Sequence, residues 1–374
     1  MRAKQSARPA WLAARYIQAV SPARLLAFEI LAAVERGGYA SDLLASRSVP
    51  LDTRDAGLAS EIVLGVLRYQ AQLDYLVEHY SGKPAARLDV AVRLALRMGI
   101  YQLRYLERIP AHAAVSESVE LIKRARKRSA AGFANAILRK VDRNPVSWPS
   151  RGVELSHPEW LLERWERQYG GETAIAIARA NLRVPETYIN PDTTRIQDVG
   201  AQSIVPLLRL EPGQSYLDLC AAPGNKTAQA VAAGVHAVAC DIHLHRLTGL
   251  ADLRIDLVVL DGRQPLPFRR RFDRILIDAP CSGTGTLGRN PEIKWRLRAA
   301  DLQDLHARQT ALLEQGRRAL APGGLLVYST CSLEREENED VVAAAGGAGV
   351  IEALQRIPGR EPGDGFYAAV IKSP

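Results

Sequence analysis

Tyr216-Leu217-Asp218-Leu219-Cys220-Ala221-Ala222-Pro223-Gly224-Asn225-Lys226-Thr227 is the stretch that decides the fold. It opens with apolar residues that read as a short buried strand and passes into small residues that let a backbone turn run close to a ligand. A helix begins at about Thr227. Strand, close turn and helix in that order open a nucleotide-binding α/β unit. The turn is not G-x-G-x-x-G and has no Walker lysine pattern, so it is not shaped to cradle phosphates.

Working outward, apolar runs predict strands at Tyr216–Leu219, Val235–Cys240, Ile255–Leu260, Arg274–Ile277 and Leu325–Tyr328. Helix-length segments separate them, which implies a parallel sheet with crossover helices. Asp218, Asp241, Asp261 and Asp278 end or follow four of these strands, and in an open α/β sheet the carboxyl ends of the strands form the ligand crevice. Asp241, about 20 residues past the turn, is placed to take both hydroxyls of a ribose, and Asp261 to reach an adenine edge. These readings support an adenosine-containing cofactor without separating S-adenosylmethionine from NAD. A plain capping role for Asp241 is the alternative.

Before the sheet, Pro22 to about Val141 is helical in pattern, with Val92, Leu96, Ile100 and Leu103 on one face. Gly37-Gly38 predicts a helix stop, and Ser81-Gly82-Lys83-Pro84 a break before the next helix. Asn144 to Pro158, with three prolines and a glycine, reads as the interdomain linker, followed by helix over Glu159 to Leu182. A chain of 374 residues is long for one core, and two domains are expected.

Charge divides the same way. Residues 1 to 150 hold 23 Lys and Arg against 13 Asp and Glu, net +10, out of a formal +8 for the whole chain. The densest basic cluster is Lys123, Arg124, Arg126, Lys127 and Arg128 with Arg139, Lys140 and Arg143. Such a local excess favours a polyanion, and the alternative is a solvated basic face. The start MRAKQSARPAWLAARYIQAV lacks the apolar stretch of a signal peptide, and no run of eighteen apolar residues exists, so no membrane partner and a cytoplasmic location are expected. Cys220, Cys240, Cys281 and Cys331 include no C-x-x-C pair, so free thiols and no metal are expected.

Asp218 to Thr227 resembles motif I of the RNA cytosine-C5 methyltransferases, D-x-C-A-A-P-G-G-K-T, with Asn225 in place of the second glycine. Asp278-Ala279-Pro280-Cys281-Ser282-Gly283-Thr284-Gly285 resembles motif IV. Tyr328-Ser329-Thr330-Cys331-Ser332-Leu333 resembles motif VI, followed by Glu337-Asn338-Glu339. Residues 22 to 141 look like the NusB-type RNA-binding domain, including Pro110-Ala111-His112-Ala113-Ala114-Val115 and Asn135-Ala136-Ile137-Leu138-Arg139. The combination is characteristic of the RsmB (Sun/Fmu) family, which methylates small-subunit ribosomal RNA. Asn190–Gln202 and Asp241–Asp261 are shorter here than in that family.

The resemblance implies an α plus α/β chain: a NusB-like helical RNA-binding domain at 1–143, then linker and a Rossmann-like S-adenosylmethionine-dependent methyltransferase domain at 144–374. Cofactor-binding residues would be Cys220, Ala221, Ala222, Pro223, Gly224, Asn225, Lys226, Asp241, Asp261 and Asp278. The chemistry asks for a sulfur nucleophile, because cytosine C5 takes a methyl only after a thiolate has added to C6. Both Cys281 and Cys331 follow strands whose ends should face the crevice, and spacing leaves their order open. The family assigns the nucleophile to Cys331 and product release to Cys281. Asp278 is the candidate acid near N3, provided its site raises its pKa, and Lys226 would anchor the loop. Arg289, Asn290, Pro291, Glu292, Lys294 and Trp295 read as a loop over the target nucleotide or a plain surface loop. The substrate would be ribosomal RNA with its cytosine single-stranded or flipped, and the protein a monomer. Competing readings are a catalytically impaired RNA-binding relative, an enzyme acting on another RNA such as tRNA, and a nicotinamide oxidoreductase, whose dinucleotide fingerprint is missing.

Overall fold

The computed structural model describes residues 20–374, so the N-terminal stretch read above for targeting lies outside the described residues. The chain divides into two compact units at Glu154/Leu155, inside the stretch predicted as linker.

In the first unit the helices are α1 (Pro22–Val34), α2 (Ala40–Arg47), α3 (Thr53–Arg68), α4 (Gln70–Ser81), α5 (Val90–Tyr105), α6 (Ala111–Arg124), α7 (Ala131–Leu138) and the single turn α8 (Arg151–Glu154). Each start and stop has a local cause. Asp52 and Asp89 cap α3 and α5 by accepting backbone N–H bonds at 2.8 and 3.0 Å. Gly82 ends α4 in the left-handed conformation at φ 68. Val92, Leu96 and Ile100 on α5 are buried, as their period predicts, and join Ile30, Ile62 and Leu73 in one core. α8 shows that the predicted linker is partly built into this unit, since Gln72 Nε2 donates to the Glu154 carbonyl at 2.5 Å. All eight basic residues singled out above are exposed. Arg143, however, donates to the carbonyls of Leu103 and Leu106 at 2.9 and 2.8 Å, which closes the end of α5.

The second unit begins with α9 (Glu159–Tyr169) and α10 (Gly171–Leu182), so the single helix predicted there is broken, at Gly170, φ 83. The α/β part runs α11 (Val199–Gln202), β1 (Ser215–Asp218), α12 (Asn225–Ala232), β2 (His236–Asp241), α13 (Leu244–Leu247), β3 (Asp256–Val259) and β4 (Phe272–Asp278). It continues with α14 (Ile293–Arg296), α15 (Asp301–Ala319), β5 (Leu320–Thr330), α16 (Glu339–Ala344), β6 (Val350–Arg356) and β7 (Phe366–Lys372). The sheet order is β3-β2-β1-β4-β5-β7-β6. The five predicted strands are present and parallel, but the sheet is mixed, because β7 runs antiparallel between β5 and β6. The order reverses at β1 and β4, and that switch point opens the crevice at their carboxyl ends.

No helix among the described residues is long and apolar enough to cross a membrane.

Candidate active site

The turn after β1 passes through Gly224 at φ 104 and enters α12 at Asn225. Only Gly224 needs glycine there. A Cβ on it would lie 2.7 Å from Leu250 Cγ, whereas Asn225 already has helical backbone, so the second glycine of the motif can be replaced. Asn225 Nδ2 instead donates to the Ile196 carbonyl at 3.1 Å, tying the turn to a neighbouring segment. Gly224→Ala is expected to cost about 2 kcal/mol of stability, from left-handed strain and the clash together. Chemical denaturation checks this, and no loss would mean that the turn yields freely.

Asp218, at the end of β1, is 1 % exposed. Its Oδ2 accepts from Thr227 Oγ1 at 2.7 Å and Tyr216 OH at 3.2 Å, while Oδ1 has no partner among the described residues. Burial, with Asp278 adding repulsion, pushes its pKa up to about 7 against the restraint of Thr227. A carboxyl raised in the folded state binds its proton more tightly there than in the unfolded chain. Its charge therefore erodes stability as pH rises from about 4 to about 7. Asp218→Asn should flatten that decline, by roughly a few kcal/mol. Melting temperatures of the two proteins at pH 5 and 7.5 test it, and parallel profiles would refute the raised pKa.

Asp278 ends β4. Its Oδ2 accepts from Lys226 Nζ at 2.6 Å and its Oδ1 from Ser329 Oγ at 3.0 Å. Burial alone would lower the Lys226 ammonium, but the Asp278 carboxylate overcomes this and raises it. The buried acid held high is thus Asp218, and Asp278 is held as one half of an ion pair. Asp241, at the end of β2, is buried and its Oδ1 accepts the His243 N–H at 2.9 Å, so the capping contact exists. Asp261 follows β3 and grips Arg263 with both oxygens, at 2.8 and 2.7 Å, which holds its carboxyl below the usual range.

Cys281 and Cys331 stand side by side, Sγ to Sγ 3.4 Å, and both are partly accessible. The hydrogen bond to the Cys331 sulfur, then burial, pushes the Cys281 thiol well above its ordinary value. Cys240 is fully buried and its thiol is pushed up to about 12 by burial, while burial also raises the Cys220 thiol. All four cysteines are free.

Two openings meet at this end of the sheet. A cleft of about 450 Å³ is lined by Cys220, Ala222, Asp241, Asp261, Asp278, Cys281 and Cys331 among others. An adjoining pocket of about 270 Å³ is lined by Ala221, Pro223, Gly224, Asn225 and Lys226, and shares Cys220, Ala222 and Asp278 with the cleft. Each of the twelve candidate residues therefore faces one or the other. The segment after Cys281 departs from one of its two expected forms. Pro291, Glu292 and Lys294 are buried, and Ile293 starts α14 and packs near Leu161 and Leu333, so this is not a plain surface loop. Arg289 instead binds Asp364 and Asp198 at 2.7 and 2.8 Å.

Sequence reading assigned no role to Ser329, Ser282, Ser332, Gln309 or the carboxylate of Glu337, although these hold the site together. Ser332 and Glu337 are five residues apart, but the links to Ser282 and Gln309, and that of Ser329 to Asp278, span 28 to 55 residues, and no local pattern encodes those. Among the described residues no group of three or more His, Cys, Asp or Glu could hold a metal ion.

A Rossmann-like sheet with antiparallel β7 inserted beside β5, an acid-lined crevice at its switch point and a separate helical unit define a methyltransferase joined to a NusB-type domain. The family model for 16S rRNA methyltransferase RsmB/F matches residues 205–347, and that of the NusB family matches 21–143. Ribosomal RNA small subunit methyltransferase B of Cronobacter sakazakii is 30% identical, the match covering 91% of this chain and 96% of that protein. The namesake from Shigella flexneri is 32% identical over the same shares. The solved structure of PH0851 superimposes with a TM-score of 0.77 over 95% of this chain and 99% of that one, at 20% identity, a likeness of fold. The chain belongs to the RsmB/F family of 16S rRNA methyltransferases.

Proposed function

We propose that this chain methylates C5 of one cytosine in 16S ribosomal RNA, using S-adenosylmethionine, through a transient bond between Cys331 Sγ and C6 of the ring. The observation that carries this reading is the pair of thiols 3.4 Å apart on a cleft shared with Asp241, Asp261 and Asp278. The residues suit the donor: Asp218 Oδ1 is a buried acceptor without a partner among the described residues, suited to a cationic group, and Asp241 stands at the end of β2 for the ribose. When bound, S-adenosylmethionine supplies a methyl group activated by a positively charged sulfur.

The chain's own residues do the rest. The Cys331 thiolate adds to C6, and the electron pair of the C5–C6 double bond moves toward C5 and N3. Asp278 faces N3 and relays to it a proton from the Lys226 ammonium, hydrogen-bonded to it at 2.6 Å. The largest cause of the high Cys281 pKa is its hydrogen bond to the Cys331 sulfur. Once Cys331 is a thioether that sulfur carries no charge, so Cys281 ionises more readily at the stage when the C5 proton must leave. The Cys281 thiolate, its own proton lost to solvent, takes the C5 proton; the C5–C6 double bond re-forms, Cys331 departs as thiolate, and the N3 proton returns through Asp278 to Lys226.

Residues 1–143 form the NusB-like RNA-binding domain in this reading, and 144–374 the linker and methyltransferase. The exposed basic cluster at the end of α6, in the connection to α7 and just after α7 contacts phosphates, and the target cytosine is single-stranded or flipped. The protein acts as a cytoplasmic monomer. Incubation with methyl-labelled donor and ribosomal RNA, followed by mapping of 5-methylcytosine, tests the proposal. One labelled cytosine is expected. RNA binding without donor binding or transfer would identify an impaired relative, and label in tRNA alone would reassign the substrate.

A further inference from the structure

Between the two cysteine-bearing segments lies a carboxylate that takes no part in the steps above. Glu337 is fully buried. Its Oε1 accepts the Ser282 backbone N–H at 2.8 Å and Gln309 Nε2 at 3.0 Å. Its Oε2 accepts the hydroxyls of Ser332, at 2.5 Å, and of Ser282. Ser282 follows Cys281 and Ser332 follows Cys331, so one side chain binds the residue next to each thiol. The two serine hydroxyls also touch, at 3.1 Å, and Gly285 N donates to the Cys331 carbonyl at 2.9 Å.

The acid is itself fixed in place. Tyr328 OH donates to the Glu337 carbonyl at 2.6 Å, and the neighbouring Asn338 binds Thr330 Oγ1 and the Ser332 carbonyl at 2.5 and 3.0 Å. From the other side, Arg164 and Trp165 of α9 hold Glu334 at 2.9 and 3.1 Å. A buried carboxylate is costly unless its lone pairs are filled, and here four donors fill them. Such an acid tolerates little rearrangement of its donors, which transmits rigidity to both loops.

We propose that Glu337 is the positioning residue for the thiol pair, setting the Cys281–Cys331 separation by gathering the two loops on a single carboxylate. The proposal deepens the thiol mechanism and rests on it. Yet the geometry it concerns can be read without methyl transfer.

Glu337→Gln replaces one acceptor oxygen by an NH₂ donor, which opposes a hydroxyl or amide already donating there. In the full-length protein, capture of the two thiols by phenylarsine oxide, which needs both sulfurs within reach, is expected to slow at least about tenfold. kcat on ribosomal RNA should fall at least about tenfold with KM changed less than about twofold. Should that variant not fold, Ser332→Ala, which keeps the acid and removes one link, is expected to move both readouts in the same direction by a smaller factor. Unchanged dithiol capture in either folded variant would overturn the proposal, as would a kcat equal to wild type. If the unaltered protein transfers no methyl, the mechanism fails, while the capture rates still decide whether Glu337 sets the thiol geometry.

Discussion

Cys331→Ala is expected to abolish methyl transfer, by about 10⁴-fold or more, equivalent to some 5 kcal/mol of barrier at about 1.4 kcal/mol per decade. The reason is chemical rather than structural. Without a sulfur adduct at C6 the ring carbon at C5 is a poor nucleophile, and the other partly accessible thiols on the cleft are Cys281 and Cys220, the latter on the turn after β1 with its thiol pushed well above its ordinary value by burial. Removing a half-buried sulfur from the end of β5 leaves the Glu337 network intact, so stability and donor affinity should stay near wild type. Initial rates with labelled donor, together with calorimetric binding of the donor, separate the two effects. Residual turnover within about tenfold of wild type would assign the nucleophile elsewhere.

Cys281→Ala is expected to fail in a different way. Addition and methylation remain possible, because Cys331 keeps its place on the cleft, but the group 3.4 Å away that removes the C5 proton is gone. The protein should then accumulate as a covalent complex with RNA, visible as a denaturation-resistant band whose intensity grows with donor. Steady-state turnover should drop about 10²-fold or more. A variant equally inactive but forming no complex would show that Cys281 acts before or during addition, and the order of roles assigned here would be wrong.

Much of this arrangement is legible in the sequence, and the reasons differ from element to element. β1, β2, β4 and β5 are readable because a parallel strand flanked by helices is buried on both faces and appears as a continuous apolar run, whereas β3, at the edge of the sheet, has the apolar run but is largely exposed. β7, Phe366-Tyr367-Ala368-Ala369-Val370-Ile371-Lys372, carries the same signal and is buried through Ile371, yet it lies outside the five predicted strands. β6 has no such signal, since its first four residues are exposed. The helix pair at 159–182 turns on one glycine conformation, and the buried course of 291–294 depends on packing against α9 that no local pattern records.

At the site, residue types and spacing point to acids at strand ends and to two cysteines. The ion pair of Lys226 with Asp278 and the raised pKa of Asp218 arise from residues far apart in the chain. So does the carboxylate that gathers Ser282 and Ser332. These are properties of neighbourhood, which only the folded chain defines.

The central claim, that Cys331 is the atom that bonds to the base, is tested most directly with RNA carrying 5-fluorocytidine in the target region. Fluorine at C5 cannot leave as a proton does, so an adduct that has formed and been methylated cannot resolve. After nuclease and protease digestion, mass spectrometry should find one modified peptide, with the methylated fluoropyrimidine nucleotide attached at Cys331. Attachment at Cys281, or recovery of methylated product with no attached peptide, would contradict the account.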